Sequence, residues 1–145
     1  MSTKEEAQEQ SLEAALGILR EMLTEEQYQG MADRVASETD DFGRTVFRHS
    51  IANTYGDTWT RAGLSRKERS LLTIGLMIGL RTPTELGHQV KMAIRNGFTP
   101  RQIEEILLHA QPYAGILVTA AASNVARQSL SELGIKLTDR APEDK

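Results

Sequence analysis

The sequence predicts an all-α protein, a single-domain helical bundle of about six to seven helices spanning residues 1–145. Paired helix-start residues recur along the chain, and apolar residues recur at helical spacing. No run alternates apolar and polar residues for long enough to predict a strand. With 145 residues and 39% hydrophobic side chains, the chain can build one core but not two.

Helix starts are marked by Ser or Thr followed three residues later by Glu or Gln. In this capping box the two side chains satisfy backbone N–H groups that have no partner inside the helix. The pairs are Thr24/Gln27, Ser65/Glu68, Thr82/Glu85 and Thr99/Gln102. Pro83 and Pro100 follow two of them at the first helical position, where a missing N–H costs nothing.

Helix ends are marked by glycine and proline. Gly97 follows the run 85–95 and Gly134 follows 123–133, and glycine takes a positive φ without strain. Pro112 is expected to end or kink the helix that begins after Thr99.

The N-terminal part of the chain contains two further predicted helices. Apolar residues at helical spacing predict one buried face on the first: Leu12, Ala15, Leu16, Leu19 and Leu23. The second leads toward Trp59 and contains Val46, His49, Ile51 and Tyr55. Both termini, 1–9 and 137–145, are charged, and we expect them to be frayed.

The composition excludes several classes of function. The net charge of −3 comes from 17 basic and 20 acidic residues without a basic cluster, so nucleic acid is not an expected partner. With no cysteine there is no disulfide, thiolate nucleophile or sulfur-ligated metal. The first residues, MSTKEEAQEQ, do not form a secretory signal, which predicts a cytoplasmic protein.

The longest apolar stretch, LLTIGLMIGL at 71–80, is shorter than the roughly 18 residues that suggest a membrane span. It is apolar on nearly every face, and a small bundle covers only part of such a surface by itself. We therefore expect a homo-oligomer and no membrane partner.

Residues 42–130 resemble the carboxymuconolactone decarboxylase family. Two segments carry the resemblance, DDFGRTVFRHSIANTYGDTWTRAGLSRKERSLLTIGLMIGL and ELGHQVKMAIRNGFTPRQIEEILLHAQPYAG. The order of their motifs is similar to that of the true decarboxylases rather than the cysteine-containing alkylhydroperoxidase D-like branch.

The resemblance implies a bundle of the alkylhydroperoxidase D-like type, assembly as a trimer of dimers (a homohexamer), and no metal or organic cofactor. The implied reaction is loss of CO2 from 4-carboxymuconolactone, which gives the 3-oxoadipate enol-lactone in the degradation of protocatechuate and other aromatic acids. Where the peroxidase-like relatives have two cysteines and a proton-relay glutamate, this chain has Arg81, Thr84 and Ser70. The resemblance therefore implies that the protein is not a peroxidase.

Two departures from the family pattern leave the substrate open. Pro112 stands where an aliphatic residue is usual, and Leu117 stands where proline is common. The alternatives are an isomerase or cyclase acting on another lactone or unsaturated acid, and a non-catalytic oligomer that binds a small acid.

Decarboxylation without a cofactor needs a substrate that accepts the electrons, donors for the developing charge, and a proton for carbon. Histidine is the natural proton donor near neutral pH, and His88 and His109 lie in the family segments. Glu85, three residues before His88 on one helix, can orient its imidazole, although a capping box also explains Glu85. These three are the predicted catalytic residues, whereas no motif supports His49.

Substrate carboxylates are expected to bind arginine, whose planar guanidinium matches them with two parallel hydrogen bonds. Arg69 and Arg61 are the predicted residues, whereas the position of Arg81 at a helix end is explained by the helix dipole alone. Three aromatic residues are expected to line the same pocket, although such residues also fill cores: Trp59, Tyr55 and Tyr113.

Overall fold

The computed structural model describes residues 3–39 and 41–137, and these residues form seven α-helices and one π-helical segment without a β-strand. The all-α prediction is confirmed. No helix in these two ranges is long and apolar enough to cross a membrane. The chain forms two compact units, Met1–Ser65 and Arg66–Lys145. That the two units make one domain remains a prediction.

The first unit contains three α-helices and the π-helical segment: α1 (Thr3–Met22), α2 (Glu25–Ala36), α3 (Arg44–Ile51) and the π segment (Ala52–Thr58). Helix α1 buries Leu12, Ala15, Ile18, Leu19 and Met22, so Ile18 and Met22 replace the predicted Leu16 and Leu23 on its buried face. Residues 3–9, predicted to be frayed, are helical. The negative charges of Glu5 and Glu6 favour the helix start because they lie near the positive end of the helix dipole. In the C-terminal range, the residues after Leu137 lie outside those described.

Helix α1 packs against the π segment through a close backbone approach. A Cβ built on Gly56 would lie 2.0 Å from the carbonyl oxygen of Ser11, so only glycine fits there. Next to this contact, the Ser11 hydroxyl donates a 2.6 Å hydrogen bond to Asp57 Oδ1. Arg48 adds hydrogen bonds to the Val35 carbonyl and the Glu9 carboxylate, which tie α3 to α2 and α1.

The second unit contains α4 (Arg66–Leu80), α5 (Pro83–Arg95), α6 (Pro100–Ala114) and α7 (Ile116–Glu132). Helix α5 packs against α4 and α7, and α6 packs against the same two helices. Residues from all four helices, together with one from the connection between α5 and α6, form its core: Ile74, Ile78, Leu86, Val90, Ala93, Phe98, Ile103, Ala122, Ala126 and Leu130. Within this unit, Asn96 donates a 2.9 Å hydrogen bond to the fully buried hydroxyl of Ser70.

Of the four predicted capping boxes, two form and one does not, and the Ser65/Glu68 box stays a prediction. Thr24 caps α2 and Thr99 caps α6, each with reciprocal hydrogen bonds to the glutamine three residues later. The Thr82/Glu85 box is wrong, because Thr82 has no side-chain cap bond to α5. Its hydroxyl instead lies 3.1 Å from the sulfur of Met77, and its backbone N–H donates to the carbonyl of Met77.

Pro112, predicted to end or kink the helix, lies inside α6, which continues to Ala114, so the predicted end is wrong and the kink stays a prediction. Its ring removes only the hydrogen bond to the carbonyl of Leu108, which lies on the exposed side. Gly115 is the sole residue between α6 and α7, with φ 95° and ψ 153°. That conformation is essentially restricted to glycine, so Gly115 sets the reversal between the two helices.

Candidate functional site

The second unit contains a groove of about 920 Å³ between α4 and α6. Leucine and glycine residues of α4 form one wall and α6 forms the other. We call it the α4–α6 groove, and its lining residues are Leu71, Leu72, Gly75, Leu76, Ile78, Gly79, Arg81, Glu105, Ile106, His109, Ala110, Tyr113 and Ala114. It is mostly apolar with a few polar groups, as small-molecule sites usually are, and its volume lies in their range of about 300–1,000 Å³.

His109 and Tyr113 form the polar part of the α6 wall. They are four residues apart on one helix, which places them on the same face. Their rings are 5.5 Å apart between centroids and tilted by 39°, so each ring restricts the rotation of the other. Both side chains are exposed in the protomer.

Arg81 lies at the junction of α4 and α5, and its backbone is unusual. With φ at 58° it is the one residue other than glycine with positive φ in the described part of the chain. Side chains rarely adopt this left-handed conformation, which costs about 1–2 kcal/mol. Arg81 also lines a second cavity, so it stands where two cavities meet.

The second cavity is a pocket of about 320 Å³ formed by the end of α4, the start of α5 and the first two turns of α7. Its lining is almost entirely apolar, and it shares Ile78 and Arg81 with the groove. Leu117, one of the two departures from the family pattern, lies on its wall. We call this cavity the α5–α7 pocket.

Glu105 adds an acid to the groove wall, but its charge is opposed locally. Its carboxylate lies 3.2 Å from the guanidinium of Arg101, one turn earlier on α6. Arg101 also pairs with Glu104, so the groove has an arginine at one end and, on its α6 wall, an acid that shares its cation with a second acid.

His88 and Glu85 line neither cavity. His88 is exposed, and it stands two positions from both Leu86 and Val90, which are buried. Two positions turn an α-helix by about 200°, so His88 lies on the opposite side of α5 from the core.

On this outer side of α5, His88 is near Glu132 of α7. The Lys91 ammonium hydrogen-bonds to Glu132 and is the main reason that the pKa of this carboxyl lies below its ordinary value. A 3.0 Å hydrogen bond from Gln128 and the charge of His88 act in the same direction. The arrangement is a surface charge cluster rather than an enclosed site.

The remaining predicted residues are distributed over both units. In the first unit, Trp59 is buried, and its ring centroid is 5.8 Å from that of the half-buried Tyr55, whereas Arg61 is exposed. In the second unit, Arg69 is half-buried on α4 and lines neither cavity. In the described residues, no group of three or more His, Asp or Glu side chains is arranged to hold a metal ion.

Comparison with known proteins agrees with this helical architecture. The model of the family described as "Carboxymuconolactone decarboxylase family" matches residues 45–128, more than half of the chain. The chain belongs to this family.

Two curated members of the carboxymuconolactone decarboxylase family are similar to this chain. A 4-carboxymuconolactone decarboxylase from Acinetobacter baylyi is 30% identical over 127 residues, which cover 88% of this chain and 92% of that protein. A nitrosuccinic acid decarboxylase from Metarhizium robertsii is 40% identical over 90 residues, which cover 62% of this chain and 63% of that protein. Both relatives are named as decarboxylases, but of different acids.

The carboxymuconolactone decarboxylase segment contains every predicted site residue, yet the structure brings only some of them together. His109 and Tyr113 line one groove, and Tyr55 and Trp59 are neighbours in the first unit. Arg81 is a lining residue that sequence reasoning passed over in favour of Arg69 and Arg61. The signal available in the sequence was its position between two helix-forming runs, where the chain must turn sharply.

Proposed function

We propose that this protein is a cofactor-independent decarboxylase of a carboxylated unsaturated lactone, with 4-carboxymuconolactone as the leading substrate. The product is then CO2 and the 3-oxoadipate enol-lactone. The α4–α6 groove carries the proposal, because an apolar cavity of small-molecule size has an imidazole and a phenol on one wall. The similarity to a named 4-carboxymuconolactone decarboxylase over most of the chain supports the choice of substrate.

The substrate itself accepts the electrons in this reaction. The bond between the ring carbon and the leaving carboxylate breaks, and its electron pair moves through the conjugated double bond toward the lactone carbonyl. Protonation of carbon then gives the enol-lactone, so one proton is consumed for each CO2 released. The protein must stabilise the negative charge on the lactone and supply that proton.

We assign the proton transfer to His109. Histidine is the side chain best suited to donate and accept a proton near neutral pH. The neighbouring ring of Tyr113 limits the orientations of the imidazole, and the phenol is a second hydrogen-bond donor in the same groove. The leucine wall of α4 is exposed in the protomer, and when a second copy of the chain covers it the local polarity falls, which strengthens the interactions that stabilise developing charge.

A second candidate substrate is nitrosuccinic acid, because this chain is 40% identical to a decarboxylase of that acid over the matched residues. In nitrosuccinic acid the nitro group replaces the lactone as the electron acceptor. The chemical demand on the protein is the same, since a carboxylate leaves and a proton is returned to carbon. Assays with the two acids therefore test the same mechanism, with a lactone as the electron acceptor in one and a nitro group in the other.

We further propose that the protein works as a homo-oligomer, a trimer of dimers as the family resemblance implies. Four leucines of α4 are largely exposed in the protomer: Leu71, Leu72, Leu76 and Leu80. Contiguous apolar patches of this kind mark protein interfaces. A second copy seated on this surface would also exclude water from the groove.

The deciding experiment measures CO2 release from freshly prepared 4-carboxymuconolactone and from nitrosuccinic acid. The wild type is compared with His109→Gln and with His88→Gln, which removes an imidazole outside the groove. We expect turnover of at least one acid, and loss of general-acid catalysis should lower the kcat of His109→Gln by about 10²–10⁴-fold. His88→Gln should keep its turnover.

Each other outcome has a defined meaning. Loss of activity in His88→Gln alone would move the catalytic histidine to the outer side of α5, together with Glu85, and would contradict the groove. If the wild type releases no CO2 from either acid, both substrates are wrong.

A further inference from the structure

We propose that Arg81 binds the carboxylate that the substrate keeps, and that this contact makes the enzyme selective for acids with two carboxylates. The inference rests on the proposed decarboxylation in the α4–α6 groove and names the substrate class for that site. Its starting point is that Arg81 is the one arginine or lysine among the described residues that line the groove or the α5–α7 pocket.

The backbone conformation at position 81 disfavours arginine relative to glycine. The turn between α4 and α5 requires a positive φ at this position, which glycine adopts freely and arginine adopts with strain. In the described residues, the other positions with positive φ are all glycine: Gly43, Gly97, Gly115 and Gly134. Because glycine would fit this position without strain, the presence of arginine indicates that its side chain has a function.

The chemistry of the reaction determines which carboxylate this cation can serve. In a substrate with two carboxylates, one loses its charge as CO2 and the other remains charged throughout. A cation bound to the leaving group would stabilise the ground state more than the transition state and would raise the barrier. A cation bound to the retained group holds the substrate equally in both states and therefore costs no rate.

The groove offers the two carboxylates different surroundings, one apolar and one beside a cation. Its α4 wall is apolar, with Leu71, Leu72 and Leu76, and when a second copy covers this exposed surface, as proposed above, a carboxylate placed there is poorly solvated and is favoured to leave. Arg81 lies past the end of α4, where the groove and the α5–α7 pocket meet. A substrate that spans the two positions places its reacting carbon on the side of His109.

The substrate class follows from this placement. The site takes small acids that carry a leaving carboxylate next to an electron acceptor and a second carboxylate on a short arm. Both 4-carboxymuconolactone and nitrosuccinic acid have this pattern. The α5–α7 pocket beside Arg81 leaves room for an apolar substituent on that arm.

The test compares each dicarboxylate with its methyl ester at the retained carboxylate. The variants are Arg81→Gly, which suits the positive φ and removes the guanidinium, and Arg81→Lys, which keeps a charge without the planar fork. The control is Arg95→Ala, because Arg95 is exposed at the end of α5 and lines neither cavity.

We expect Arg81→Gly to lower kcat/KM for the dicarboxylate by about 100-fold, mainly through KM, since a charged hydrogen-bonded partner is lost. The activity toward the monoester should change by less than about threefold, because this substrate never used the guanidinium. Arg81→Lys should lie between wild type and Arg81→Gly, and Arg95→Ala should match wild type. Equal losses on dicarboxylate and monoester would overturn the inference.

A binding measurement separates this inference from the proposed function. Muconolactone keeps the acetate arm of 4-carboxymuconolactone and lacks the carboxyl group that leaves, so it binds without reacting by this route. Calorimetry should detect its binding to wild type and a loss of about 100-fold in Arg81→Gly. If Arg81→Gly binds muconolactone as tightly as wild type does, the role of Arg81 is overturned even if the enzyme releases CO2. If wild type shows no turnover but Arg81→Gly still binds muconolactone more weakly, only the proposed reaction is refuted.

Discussion

Gly56→Ala should destabilise the first unit far more than an ordinary glycine-to-alanine change. The added Cβ would lie 2.0 Å from the carbonyl oxygen of Ser11 and 2.7 Å from its carbonyl carbon. Ordinary contact begins at 3.4 Å, so α1 and the π segment must separate by about 1.4 Å. The obstacle is backbone, which cannot rotate away as a side chain can.

The magnitude follows from two opposing terms. Overpacking in a close contact costs about 1–3 kcal/mol, and a backbone obstacle places Gly56→Ala at the upper end. Alanine returns about 0.5–1 kcal/mol, because it restricts the unfolded chain and suits a helix better than glycine does. The net loss is about 2 kcal/mol, which lowers Tm by about 8 °C at roughly 4 °C per kcal/mol for a chain of this size.

Gly17→Ala is the matched control, because Gly17 lies in α1 and a Cβ added there would have no neighbouring atom within 4 Å. It should raise the free energy of unfolding by about 0.5–1 kcal/mol. Urea denaturation followed by far-UV circular dichroism, at one protein concentration, compares both variants with wild type. A Gly56→Ala protein as stable as Gly17→Ala would show that the close approach of α1 and the π segment is absent in solution.

Three further predictions concern a helix cap, a charge cluster and the assembly. Thr99→Ala should lower the free energy of unfolding, measured by urea denaturation, by about 1 kcal/mol, because it removes a formed cap. Thr82→Ala should lower it by clearly less, and equal losses would contradict the assigned cap geometry. The lowered pKa of Glu132 means that its contribution to stability is present above its ordinary value of 4.5 and is lost as pH falls through the lowered pKa. In Lys91→Ala, NMR titration should find this pKa closer to 4.5, and an unchanged pKa would mean that Lys91 is not its main cause. Leu76→Glu should shift the mass measured by light scattering toward the monomer, because it places a charge on the exposed leucine surface, and an unchanged mass would remove that surface from the assembly.

The helix starts could be predicted where one local interaction decides them. Thr24 and Thr99 cap the helices that follow, because the hydrogen bonds join residues only three apart. The same pattern failed at Thr82, where Arg81 turns the chain with a positive φ and Met77 attracts the hydroxyl. That geometry depends on how α4 ends, which the local pattern does not contain.

The candidate site also has features that follow from local sequence and features that depend on helix packing. His109 and Tyr113 are each predicted as site residues, and because they are four residues apart on one helix their rings are neighbours in the structure. Spacing on α5 equally joins Glu85 and His88, but it does not tell which side of the helix meets the core. Which helix walls enclose the groove, and the presence of Arg81 at its end, depend on packing between helices distant in sequence.

The single-residue joint at Gly115 constrains how this site can vary. Because no loop separates α6 from α7, the tilt of one helix fixes the start of the other. A residue inserted there would turn Leu117 on α7 relative to Tyr113 on α6, which alters the groove and the α5–α7 pocket relative to one another. The two cavities can therefore vary through the side chains on the two flanks of Gly115, whereas a longer connection would disturb both of them.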